Sequence, residues 1–127
     1  MLEINKFIIA TAAAVVLSTA VLHAQQSLKY EKSNHLYEQA MDLYQKQKYG
    51  SAYRAFDKLT IELSDNQHET YVNAYYYKAL CAMNLFNRDA DYLLRQFVTD
   101  HPESPRVKNA YFQLADTITE SVNGVSP

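Results

Sequence analysis

Between Leu36 and Leu59 the apolar residues of this chain follow the turn of a helix, stop, and follow it again. In LYEQAMDLYQKQKYGSAYRAFDKL, Leu36, Ala40, Leu43 and Tyr44 fall at i, i+4, i+7 and i+8, one face of an α-helix. After Gln47-Lys48, Ala52, Ala55, Phe56, Leu59 and Leu63 do the same. The two helices fold as an antiparallel hairpin. A methyl group at Ala40 and at Ala52 lets the backbones approach, while Leu43, Tyr49 and Phe56 fill the space beside them. Only two glycines and three prolines occur in 127 residues, too few for the turns of an all-β protein, so the expected fold class is all-α. The formal charge of -2 gives no basic stripe and argues against nucleic acid as a partner.

This small-large pattern resembles the tetratricopeptide repeat. Leu36, Ala40 and Leu43 match its first helix, and Tyr49, Ala52, Phe56 and Leu59 its second. The usual Gly-Asp turn is here Gln47-Lys48, and Ser64 stands where the repeat normally ends in Pro. The resemblance covers about residues 33–120.

The amino terminus is expected to be a targeting segment. Lys6 precedes FIIATAAAVVLSTAVL, Phe7 to Leu22, and the chain turns polar at His23-Ala24-Gln25. That is the pattern of a secretory signal peptide over 1–24, with cleavage after Ala24 and Ala20 as the competing site; an uncleaved anchor is the alternative. Cys81 is the single cysteine and lies far from that boundary, so neither amino-terminal lipidation nor an internal disulfide is encoded. A buried thiol between Ala79 and Ala82 is expected.

After an extended lead-in over 25–32, Ser33 or Asn34 is expected to cap the first helix. Asn66 and Glu69 have the spacing of a capping box opening a third helix to about Asn84, along which Val72, Tyr75, Tyr76, Ala79, Ala82 and Met83 recur. Asn87 is expected to cap a fourth, with Ala90, Leu93, Leu94 and Phe97. Tyr75, Ala79 and Ala82 then repeat Leu36, Ala40 and Leu43, while Ala90 and Leu94 repeat Ala52 and Phe56. The copy is spaced more widely than the roughly 34 residues of the standard repeat, with a turn expected to be one residue shorter. Pro102 stops the fourth helix, Ser104 caps, Pro105 takes the first helical position, and a fifth helix runs from Arg106 to about Glu120 with Val107, Ala110, Tyr111, Leu114 and Ile118 on one face. Residues 121–127 read as a tail. The run FVTDHPESPRVKNAYFQLAD is similar to repeats of bacterial envelope proteins, those of the lipoprotein serving outer-membrane β-barrel assembly and of the periplasmic coordinator of the Tol-Pal system. The expectation is a short α-solenoid of about two and a half repeats, exported and periplasmic or outer-membrane associated.

Catalytic parts are not found. His35 and Glu38 are one helical turn apart but have no second pair facing them, and Asp89 and Asp91 suit the positive end of a helix dipole. No glycine-rich phosphate loop, nucleophile elbow or cysteine pair is present, so neither an enzyme nor a metal, cofactor or small-molecule substrate is expected.

What the resemblance implies instead is a concave groove lined by the first helix of each hairpin. Its positions fall on Asn34, Tyr37, Met41 and Tyr44, on Asn73, Tyr76, Leu80 and Met83, and on Asn109, Phe112 and Asp116. Asn recurs at one equivalent position and can bond a peptide backbone as donor and acceptor; Tyr and Met add adaptable apolar area. The competing reading for Tyr37, Tyr44 and Tyr76 is packing between repeats. None of these positions is Lys or Arg, which argues against a carboxyl-terminal peptide as ligand. The expected role is a scaffold for a protein or peptide partner in the cell envelope. The alternative is self-association, or extension of a longer array, through the fifth helix, whose flank has no second helix to cover it.

Overall fold

The computed structural model describes residues 2–63 and 69–124. Among them are five helices, α1 (Leu2–Gln45), α2 (Tyr49–Glu62), α3 (Glu69–Asn84), α4 (Ala90–Asp100) and α5 (Val107–Asn123), and no strand. The all-α class is therefore as the sequence indicates. The chain divides into two compact units, Met1–Asn34 and His35–Pro127.

The first unit is the leading part of α1. Its apolar side chains, Phe7, Val16 and Leu22 among them, are exposed, and the helix is long and apolar enough to cross a membrane, a property signal sequences share. Its hydroxyls turn back on their own helix: Thr11 donates to the Phe7 carbonyl at 2.9 Å and Ser18 to that of Val15 at 2.8 Å. The extended lead-in expected over 25–32 is helical instead. No Gly or Pro interrupts that stretch, and Gln, Lys, Glu and Leu are good helix formers. Ser33 accordingly caps nothing; its hydroxyl donates to the Lys29 carbonyl at 2.8 Å.

In the second unit, residues 35–45 of α1 pack with α2 and one side of α3 around Ala40, Ala52, Phe56, Leu59, Leu63, Ala74 and Cys81, all fully buried. The other side of α3 packs with α4 and α5 around Ala79, Leu94, Phe97, Ala110 and their neighbours. Ala40 and Ala52 are buried in one cluster and Ala79 and Ala90 in the next, consistent with the small-large pattern. Because α3 is covered on both sides, it carries apolar residues round most of its circumference, where α2 and α4 have one apolar stripe each.

The turns closing the two hairpins share one geometry. At the end of α1, Gln47 takes φ 58°, its amide donates to the Tyr44 carbonyl at 2.9 Å, and the Lys48 amide reaches back to Leu43 at 2.9 Å. At the end of α3, Phe86 takes φ 56°, its amide donates to Met83 at 2.9 Å, and the Asn87 amide reaches Ala82 at 2.9 Å. Both are Schellman motifs with a non-glycine residue in the left-handed position. Residues 46–48 link the first pair and 85–89 the second, so the second link is longer, not shorter as expected. An additional turn, Ala90 amide to Asn87 carbonyl at 3.2 Å, precedes α4, and its cap position is Asp89 and not Asn87.

Pro102 follows the end of α4 as expected, and the Ser104 hydroxyl accepts from the Arg106 amide at 3.3 Å. α5 buries Ala110 and Leu114 but leaves Tyr111 and Ile118, expected on the same face, 57% and 51% exposed. The helix continues through Asn123, into the expected tail. Ser64 and the Asn66 capping box lie outside the described residues.

Candidate interaction surface

Along α3, Tyr75, Tyr76 and Tyr77 are consecutive, so their rings must point in three directions. Tyr75 stacks on Phe97 at 6.2 Å, with its hydroxyl donating to Gln96 at 2.9 Å. Tyr76, 4% exposed, packs against Phe97 at 5.4 Å. Tyr77 turns toward the first hairpin, stacked on Phe56 at 5.7 Å and edge-on to Tyr44 at 5.1 Å. Tyr37 meets Phe56 edge-on at 5.9 Å.

The expected groove positions are therefore divided. Tyr76 and Leu80 are core residues, which corrects their placement in the groove: the double coverage of α3 draws them in. Tyr37, Met41, Tyr44, Asn73 and Met83 are half-buried, and Tyr37, Met41 and Tyr44 all pack on the first core cluster. Asn109, Phe112 and Asp116 on α5 are exposed, as is Asn34 in the first unit. Tyr77, missed by the sequence reading, packs against both core clusters, as Tyr44 and Tyr53 do.

Arg106 was missed as well. The half-buried guanidinium lies 4.9 Å from the Tyr77 ring centre and 5.3 Å from that of Tyr76. Its Nε donates to Asn73 Oδ1 and its Nη1 to the Tyr77 hydroxyl at 3.4 Å. Burial pushes the Tyr37 hydroxyl above the usual tyrosine range, Tyr77 adds to the rise, and the positive charge of Arg106 opposes it. Tyr37, Asn73, Tyr77 and Arg106 thus form one polar and aromatic patch drawn from α1, α3 and the start of α5. None of the expected groove positions is Lys or Arg, and the guanidinium on this face comes from Arg106, in the turn before α5.

Elsewhere the polar groups tie helices together. Lys78 pairs with Asp57 at 2.8 Å across α3 and α2, and Asp91 accepts from Thr117 at 3.1 Å across α4 and α5. Cys81 is fully buried, and burial pushes its thiol up to about 12, so it stays protonated and inert. Among the described residues no three His, Cys, Asp or Glu side chains gather as metal ligands would. No protein-family model matches the sequence, and no curated protein or solved structure matches it either.

Proposed function

We propose that the chain is an exported, non-enzymatic scaffold of the bacterial cell envelope, built on tetratricopeptide-like hairpins, that binds a protein or peptide along the face shared by α1, α3 and α5. The observation that carries this reading is the patch at Tyr37, Asn73, Tyr77 and Arg106, continued on α5 by the exposed Asn109 and Phe112. Two Schellman turns of one geometry, and paired alanines in successive cores, support the repeat. The apolar amino-terminal helix supports export. The test is a photo-cross-linking amino acid placed at Asn109 or, as a control, at Lys58 on α2, in cells with an intact envelope. A discrete adduct from position 109 alone is expected; equal labelling from both sites would refute the groove.

A second reading, self-association through α5, is favoured by the exposure of Tyr111, Phe112, Ile118 and Val122 on that helix. It predicts a concentration-dependent mass in sedimentation equilibrium that Ile118→Glu abolishes. A concentration-independent monomer would remove it.

A further inference from the structure

Lys46, Lys58, Lys78 and Arg95 each stand beside a carboxylate. Arg106 does not. Among the described residues its hydrogen-bond partners are the neutral Asn73 amide and Tyr77 hydroxyl, and its planar face rests on tyrosine rings. These hydrogen-bond partners carry no charge, and half-burial against aromatic side chains makes the attraction of the guanidinium for an anion stronger than at an open surface. Only part of the five-donor guanidinium is engaged, so a carboxylate can dock without displacing Asn73.

We propose that Arg106 seats one Asp or Glu side chain of an extended peptide. The proposal rests on the groove reading above and names the chemistry of its partner. The requirement is for a single acid, not an acidic run. Glu69 and Glu103 line an adjoining hollow with Asn73, so a second acid on that side of the first is disfavoured. Exposed Phe112 favours an apolar neighbour for that acid. A purely structural Arg106, pinning the start of α5 to α3 through Tyr76, would affect stability but would show no preference for charge in a ligand.

The test is selection of random dodecapeptides on phage by the full-length chain in detergent. Each peptide is joined to the coat protein by its carboxyl end, so that only side chains present carboxylates. One fixed Asp or Glu is expected in the selected motif, flanked by neutral or apolar residues. With the selected peptide synthesised as its amide, changing that acid to Asn or Gln, or Arg106→Gln in the protein, is expected to weaken binding by roughly ten- to a hundred-fold, the worth of a charge-assisted hydrogen bond. The two changes together should cost little more than either alone, and Arg106→Lys, which keeps the charge, should retain part of the affinity. A motif without an acid, or undiminished binding by a folded Arg106→Gln or Arg106→Lys chain to the neutralised and acidic peptides alike, overturns the acidic seat. If that acid-free motif is lost on Phe112→Ser, the groove stands without it. Selection of no peptide, or of a single-acid motif that Arg106→Lys binds without regard to the acid, overturns the seat too; the former takes the groove reading with it.

Discussion

Phe86 combines two properties that a stable turn has no use for together: a left-handed backbone at φ 56° and a bulky side chain that is 91% exposed. The left-handed conformation costs a non-glycine residue about 1–2 kcal/mol, since Cβ crowds the following carbonyl. Replacement by glycine removes that cost. Against it stand the larger freedom of glycine in the unfolded chain, about 0.5–1 kcal/mol, and the loss of a ring so exposed that its burial is worth only a few tenths of a kcal/mol. The balance is a gain of roughly 0.5 kcal/mol, which for a unit of this size raises the melting temperature by roughly 2–4 °C.

The assay is thermal and urea unfolding of the full chain in detergent, followed by far-ultraviolet circular dichroism, with Phe86→Ala as the control. Alanine keeps Cβ and therefore the strain, so it should stay within about 0.5 kcal/mol of the parent. Gln47→Gly, at the matching turn of the first hairpin, should behave as Phe86→Gly does. A Phe86→Gly chain no more stable than Phe86→Ala would show that the turn is not strained at this position. It would also weaken the case for two equivalent hairpins.

Ala52→Leu should destabilise by about 1–3 kcal/mol through overpacking, because Ala52 is fully buried in the cluster that holds Ala40 and Phe56; unchanged urea unfolding would contradict the close approach of the helices. Tyr76→Ala should cost about 3–5 kcal/mol and much of the helical signal, whereas Phe112→Ser should leave both intact, which a single pair of melting curves decides. Stability should fall at alkaline pH. Burial raises Tyr44 and Tyr75 from 10.0 to about 12 and Cys81 from 9.0 to about 12, so above those lower values the unfolded chain gives up protons that the folded one still holds. Melting temperatures should be level below pH 9, decline above it, and decline less steeply in Tyr44→Phe and Cys81→Ala; a flat profile through pH 10 to 12 would refute the assigned burial.

What was legible in the sequence is what local spacing controls. A small residue where two helices touch leaves a mark at fixed intervals, so Ala40, Ala52, Ala79 and Ala90 could be paired before any coordinates. Polarity misled over 25–32, because a polar stretch reads as a linker even when its residues are good helix formers and no breaker interrupts them. The left-handed turns were hidden for a related reason: Gln47 and Phe86 are neither Gly nor Asn, and a conformation imposed by the helices on either side has no signal in the residue that suffers it.

Two of the positions expected in a groove, Tyr76 and Leu80, fall in the core, and the cause is tertiary. Carrying positions from the outer helix α1 onto α3 assumes that both have one covered side, but α3 is packed by the first hairpin and by α4 and α5. That second layer takes Tyr76 inward and leaves Tyr77 to face Tyr44 and Phe56. Three successive tyrosines were the available clue, since helical geometry cannot send all of them to one surface. Arg106 follows from the same displacement. With Tyr76 and Tyr77 diverging, their rings present a platform onto which the first residue after Pro105 can fold, with Asn73, one turn earlier on α3, in reach of its Nε. The cation on this face is thus set by how the helices stack, and the spacing of groove positions along each helix carries no signal for it.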